Sequence, residues 1–436
     1  MRVPGHRERV KKGFIMNIAL LNDSFPPIID GVANTVVNYA DILTKRGERA
    51  VVVTPEHPDA DDSGFPYQIV RYPGIDIRKL AGYIAGIPYS PATQKRLKEF
   101  RPDILHSHCP FVSTVLGRAA ARPMDIPLIM TYHTKFDIDI ERIIKMRVIQ
   151  DGILKTLVDN INACDEVWTV SEGAGENLRS IGYEGDYVVM ENGVDIPKGR
   201  LPEDRIRALT ANVPLPENVP VFLFVGRLFW YKGIRIILDA LSAIKGAGYD
   251  FRMIFIGKGE EQEDIKKYAS VLRLDDKVLF LGPVYDREAL RAWYCRADLF
   301  LFPSTFDTNG LVVREAAACS CPSVLIAGSC AAEGVTQEKN GFLIEESAAS
   351  MAIMLTRIFE RPGMLPYVRG NVADDLYISW DDAVDKAYDR YEIVIDNYKS
   401  GKYPGHKRMT DEFLKMSGDM FDVFGAFGSN DYTDYR

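Results

Sequence analysis

Short continuous apolar runs alternate with longer segments of helical periodicity along most of this chain. The runs at residues 17–21, 50–54, 67–71, 103–107, 127–131, 166–170 and 188–191 predict strands. Between them the spacing predicts helices over 34–46, 112–122 and 138–163. Strands that are apolar throughout, rather than at every second position, belong to a parallel sheet covered on both faces by its crossover helices. A Pro- and Asn-rich stretch near 197–220 reads as a linker holding one short helix. The pattern then starts again with strands at 221–225, 251–256, 278–281, 299–302 and 323–326. The expected architecture is therefore α/β, with two doubly wound parallel-sheet domains. Ligands of such sheets bind beyond the carboxyl ends of the strands, and two such domains facing each other predict a site in the cleft between them. The expected boundaries are an extension at 1–15, a first domain at 16–197, a linker at 198–219, a second domain at 220–379 and a tail at 399–436. A helix at 380–398 ends the periodic part, and 413–427 in the tail is read as either a helix or disordered.

Composition narrows the functional classes. The 436 residues suffice for two full cores, and 47% hydrophobic with 26% charged residues is ordinary for a globular protein. A net charge of -8 argues against broad nucleic-acid binding, which needs a basic face. No apolar run is long enough for a membrane-spanning helix. The basic start (Arg2, His6, Arg7, Arg9, Lys11, Lys12) lacks the apolar stretch of a signal peptide. The six cysteines (109, 164, 295, 319, 321 and 330) show no metal-binding CxxC spacing and read as reduced thiols, which places the protein in the cytoplasm.

The candidate chemistry gathers at predicted strand ends. After 298–302 comes a polar loop with Asp307, Thr308, Asn309 and Gly310, and then a helix starting near Leu311 that carries Glu315 in its first turns. The free N–H groups at that helix start suit a phosphate, and carboxylates beside them suit sugar or ribose hydroxyls. Arg227 and Lys232 share the loop after 221–225, where a planar fork and a point charge can converge on a diphosphate. Gly257, with Gly259, makes a tight turn after the next strand. In the first half, Asp30-Gly31-Val32 lies between a strand and a helix, where Gly31 allows close backbone approach. His106, His108 and His133 end strands; their spacing fits no zinc pattern, and His133 is the candidate for a sugar hydroxyl.

These residues, in this order, resemble the retaining glycosyltransferases of family 4. The motifs are Asp30-Gly31-Val32, His106-Ser-His108, Tyr132-His133-Thr134, Glu191-Asn-Gly-Val-Asp195, Gly226-Arg227 with Lys232, and Asp307 with Glu315. The resemblance spans about 16–398 and implies the GT-B fold, two facing Rossmann-like domains, with helix 380–398 crossing back onto the first. It implies that Arg227 and Lys232 neutralise the donor diphosphate and that Glu315 binds the ribose. Asp307, with the backbone of Thr308, Asn309, Gly310 and Leu311, would hold the transferred sugar, and His133 would support it near the reacting carbon. The donor would be a nucleoside-diphosphate sugar, with no bound cofactor and no required metal.

Within the family, the surroundings of His106 and His133 look most like those of glycolipid-forming members such as diacylglycerol glucosyltransferases. That implies a glucose donor, a lipid or saccharide acceptor, and peripheral contact with the cytoplasmic face of a membrane. The basic stretches Lys95-Arg96-Leu97-Lys98 with Arg101, and Arg142, Lys145 and Arg147 with Lys155, could supply that contact. Three departures bear on the donor: Asp307 where Glu is usual, Thr308-Asn309-Gly310 in place of Gly-aromatic-Gly, and Ser320 where Gly is common. Competing readings are a nucleotide-sugar isomerase, a phosphorylase, which would need a pyridoxal lysine, and a non-catalytic nucleotide-sugar-binding protein.

Overall fold

The computed structural model describes residues 15–28, 30–76, 84–87 and 90–403. The extension expected at 1–15, apart from Ile15, and the tail segment 413–427 lie outside the described residues. The chain divides into two compact units. The first takes the described residues up to Val170, then Ala174–Glu191 and those from Trp380 onward; the second takes Ser171–Gly173 and Asn192–Ser379.

The first unit is built on β1 (Asn17–Leu21), β2 (Arg49–Pro55), β3 (Gln68–Tyr72), the short pair β4 (Gly74–Asp76) and β5 (Ile84–Gly86), then β6 (Ile104–Ser107), β7 (Leu128–Tyr132), β8 (Glu166–Thr169) and β9 (Val188–Val189). Seven strands form one parallel sheet in the order β3-β2-β1-β6-β7-β8-β9, and β4 and β5 pair antiparallel beside it. β6 and β7 are buried along their whole length, as continuous apolar runs require. The order reverses between β1 and β6, so the loops after those two strands diverge and leave a crevice.

The expected helix at 34–46 begins earlier, as Gly31–Lys45, because the Asp30 carboxylate accepts from the Val32 and Ala33 amides at 2.8 and 2.7 Å and caps it. The single helix expected at 138–163 is two, Phe136–Ile143 and Arg147–Ile161. Ile144 is extended (φ -106°, ψ 118°) and buried, and Gln150 donates to its carbonyl at 2.6 Å. Burial of Ile144 and the satisfied carbonyl outweigh helical continuity there. Trp380–Lys399 belongs to the first unit. Arg390 forks onto Glu166 at 2.8 and 2.6 Å, and Tyr391 stacks on Trp168 at 5.4 Å between centroids.

The second unit holds β10 (Val221–Val225), β11 (Arg252–Ile256), β12 (Val278–Gly282), β13 (Leu299–Phe302), β14 (Ser323–Ile326) and β15 (Phe342–Ile344). They form a six-stranded parallel sheet in the order β12-β11-β10-β13-β14-β15. The edge strand β15 has only three residues, too few to register as an apolar run. The segment expected as a linker at 198–219 is part of this unit: its helix Glu203–Thr210 buries Ile206 in the core, and Arg205 forks onto Glu288 at 2.9 and 2.8 Å. The order reverses between β10 and β13, and the loops after those two strands carry the candidate donor residues.

Candidate functional site

β10 ends at Val225, and the chain passes through exposed Arg227 into a single 3-10 turn, Trp230–Lys232, before the helix Ile234–Gly246. Lys232 is only 6% exposed. Its ammonium lies 5.3, 5.5 and 5.9 Å from the ring centroids of Phe306, Tyr231 and Phe302. Burying an ammonium among aromatic faces is tolerable only with an anionic partner. That partner is Asp307, whose Oδ1 lies 2.7 Å from Lys232 Nζ. Ser304, itself buried, donates to the other oxygen of Asp307 at 2.5 Å. Lys232 is turned to Asp307, whereas the Arg227 guanidinium lies over the Phe229 ring at 5.8 Å. Arg227 is free to reorient at little cost because its site is exposed.

After Asp307 the backbone runs through Thr308 and buried Asn309 to Gly310, which stands at φ 63°. A Cβ at Gly310 would come within 2.8 Å of Ala331 Cα, so both conformation and space demand glycine. Gly310 is the N-cap of the helix Leu311–Ala318 and offers no side chain to its amides. The Leu311 and Val312 N–H groups therefore take no side-chain cap at the positive end of the helix, while Val313 N–H donates to the Gly310 carbonyl at 2.8 Å. At the next strand, Gly257 is required for a different reason: a Cβ there would lie 1.9 Å from the Gly226 carbonyl oxygen, where two strand ends pack together.

Glu315 lies beyond the first turn of Leu311–Ala318, which carries no acidic residue, and faces the neighbouring helix Arg287–Arg296. Tyr294 donates to its Oε2 at 2.9 Å, and Arg287 Nη2 is 3.1 Å from its Oε1. Burial pushes the Glu315 carboxyl above the usual carboxylate range, against the opposing pull of Arg287 and Tyr294. The helix ends in paired bonds, Ser320 N–H to the Ala317 carbonyl and Cys321 N–H to the Ala316 carbonyl, both at 2.9 Å. That closure places Ser320 at φ 56°.

In the first unit, His133 is buried at the end of β7 and its Nε2 is 3.0 Å from His108 Nδ1. His106 bridges Tyr391, 2.6 Å from Nδ1, and Thr131, 2.7 Å from Nε2, and its ring lies 3.9 Å from that of His108. Burial pushes all three imidazoles below their usual range, His133 to about 3, so they are neutral near pH 7. Gly31 is exposed, and a Cβ there would meet nothing within 4 Å, so the fold itself does not require glycine. Among the described residues, no group of three or more His, Cys, Asp or Glu is placed to hold a metal, and no helix is long and apolar enough to cross a membrane.

Ser304, Tyr294 and Arg287 escaped assignment from sequence. Arg287 and Tyr294 carry a signal in retrospect, since seven positions on one helix is two turns and one face. What that face meets is a property of the packing.

Comparison with known proteins decides the family. Residues 29–198 match the family described as Glycosyltransferase Family 4, and residues 206–365 match Glycosyl transferases group 1. The chain belongs to glycosyltransferase family 4. This glycosyltransferase is 25% identical over 313 residues to the alpha-monoglucosyldiacylglycerol synthase of Streptococcus pneumoniae, covering 71% of this chain and 70% of that one. It is 27% identical over 335 residues to the GDP-mannose-dependent alpha-mannosyltransferase of Corynebacterium glutamicum, covering 76% and 77%. Its fold is that of Anabaena HepE, solved in complex with UDP and glucose, with a TM-score of 0.66, 19% identity, and 87% and 99% of the two chains covered. The α/β architecture of two parallel-sheet Rossmann-like domains is thus that of GT-B glycosyltransferases.

Proposed function

We propose that this glycosyltransferase moves a hexose, glucose by first choice, from a nucleoside-diphosphate sugar to a hydroxyl of a lipid such as diacylglycerol, with retention at the anomeric carbon. The observation that carries the donor half is the sheet reversal between β10 and β13, where Lys232, Asp307 and the uncapped start of Leu311–Ala318 meet. Lys232 and Arg227 are assigned the diphosphate, and Glu315 the ribose hydroxyls. Asp307, with the backbone from Thr308 to Leu311, is assigned the transferred sugar, and His133, neutral at pH 7, one of its hydroxyls. Gly31 and Gly257 are assigned close backbone approach to the donor.

In the reaction the bond from the anomeric carbon to the phosphate oxygen breaks and the nucleoside diphosphate departs with the electron pair. The acceptor oxygen bonds to the same face of the carbon, and its proton passes to the departing phosphate. The cations stabilise the charge that grows on the leaving group, which is where preorganised charge contributes most.

The lipid half rests on the glucosyldiacylglycerol synthase relatives and on one surface of the first unit. There Met146 and Val148 are 59% and 82% exposed and alternate along the chain with the exposed cations Lys145 and Arg147. Apolar side chains flanked by cations suit an anionic lipid interface. The mannosyltransferase relative supports a second reading in which the donor or acceptor is another sugar.

The test is a panel of UDP-, GDP- and ADP-hexoses offered with diacylglycerol and with free sugars, products being identified by mass spectrometry. A glucolipid with α-linkage is the expected product. Consumption of no nucleotide sugar, even by hydrolysis, defeats the reading; a glycosylated saccharide with no glycolipid defeats its lipid half.

A further inference from the structure

Glu315 is gripped by two residues to which the donor-site reading gives no task. Tyr294 is fully buried and its hydroxyl reaches Oε2 at 2.9 Å, whereas Arg287 reaches Oε1 at 3.1 Å. Both stand on one face of the helix Arg287–Arg296, two turns apart. The two contacts fall on different oxygens, so the carboxylate plane is defined at both ends. Each oxygen keeps a further lone pair for an incoming hydroxyl. Burial, and then the charge of Glu315, push the Tyr294 phenol far above its usual range, so it remains a proton donor at any working pH. Arg287 is half exposed and also approaches Asp195 Oδ2 at 3.7 Å. The charged and titratable groups facing this carboxylate are Arg287, Tyr294 and Asp195, with the thiol of Cys319 beyond Tyr294.

We propose that Tyr294 and Arg287 are positioning residues that hold the Glu315 carboxylate in the orientation that accepts ribose hydroxyls, and that they thereby set the preference for ribonucleotide over deoxyribonucleotide donors. The inference rests on the reading of Glu315 as the ribose acceptor. A carboxylate that must find its orientation on binding gives up part of the gain from each hydroxyl; one already fixed at both oxygens does not.

The test uses the full-length protein and calorimetric titration with UDP and GDP and their 2′-deoxy and 3′-deoxy counterparts, between pH 5.5 and 8.5. The unaltered protein is expected to bind the ribo form of its preferred nucleotide about tenfold or more tightly than the deoxy forms, as loss of a charge-assisted bond implies. Tyr294→Phe, which removes one oxygen, and Arg287→Gln are each expected to cut that ratio by about threefold or more. Affinity for the deoxy forms should change little, and Arg287→Lys should restore part of the ratio. In both variants the acid limb of ribonucleotide affinity moves to higher pH, because both residues hold the Glu315 carboxyl down. Equal losses for ribo and deoxy forms would assign a merely structural role and overturn the proposal. An unchanged ratio in Tyr294→Phe and Arg287→Gln, with the ratio abolished in Glu315→Gln, overturns it while leaving Glu315 in place. An unchanged ratio in Glu315→Gln removes the ribose reading itself.

Discussion

Lys232 Nζ lies 2.7 Å from Asp307 Oδ1, joining the loop after β10 to the loop after β13 across the reversal of the second sheet. The pair shares its surroundings with three aromatic rings and with Ser304. On the proposed donor reading, a hexose phosphate would meet a lysine and an acid already at fixed positions. The shorter reach of Asp307, one methylene less than Glu, is matched by the approach of Lys232 and Ser304 to both its oxygens.

Removing one partner takes away the counter-charge that this 2.7 Å contact supplies to the other. Lys232→Ala and Asp307→Asn are therefore each expected to lower stability by roughly 2–4 kcal/mol, with the double variant losing less than the sum. Turnover should fall about 100-fold or more in Lys232→Ala and in Glu315→Gln, as it does when one preorganised electrostatic contact is lost. Denaturant unfolding of the four-member cycle and steady-state rates check both numbers. Near-native turnover in either variant contradicts the assigned roles.

Ser320 occupies the left-handed position of a helix closure in which two backbone bonds demand that conformation. Ser320→Gly removes the steric cost of a Cβ there and is expected to raise stability by about 0.5 kcal/mol after the entropy of glycine is set against it. Activity should be unchanged. A lowered melting temperature would show that the Ser320 side chain contributes something its position does not reveal. Gly310→Ala is the opposite case. With φ 63° and 2.8 Å to Ala331, it should lose about 1–3 kcal/mol and weaken nucleotide binding by shifting the helix start.

The histidine cluster makes the first unit acid-sensitive. His106, His108 and His133 are all held below their ordinary range by burial. The unfolded chain takes up protons near pH 6.5 while the native imidazoles do not, so stability is complete above that pH and falls as pH is lowered through it. The slope can reach about 1.4 kcal/mol per pH unit for each imidazole. Residues 192–379 contain no histidine. Hydrogen exchange at pH 7 and 5 should show β6 and β7 losing protection well before β10 and β13. Equal losses in both units would contradict this origin.

Met146→Ser with Val148→Ser is expected to lower co-sedimentation with anionic vesicles several-fold while leaving nucleotide binding unchanged, since both side chains are exposed. Lys145→Gln with Arg147→Gln should remove the preference for anionic over neutral vesicles. Binding that ignores both pairs of changes defeats the lipid-interface reading of this surface.

Continuous apolar runs were enough to determine two parallel α/β sheets, because a strand buried on both faces has no polar positions to spare. The loop after 299–302 was legible too, since Gly310 before a helix and acids on either side of it carry local chemistry. The break at Ile144, the absorption of 198–219 into the second unit and the three-residue β15 were not legible. Each depends on what a side chain such as Ile144 or Ile206 finds to bury against, which sequence periodicity does not state. Local sequence likewise marked Lys232, Asp307, Glu315 and His133 as candidates one by one. Only the tertiary structure set Lys232 on Asp307, Tyr294 and Arg287 on Glu315, and His108 on His133. The reason is physical: these partners lie 21 to 75 positions apart in the chain, and their 2.7 to 3.1 Å contacts exist only once sheet order and helix packing have brought their elements together.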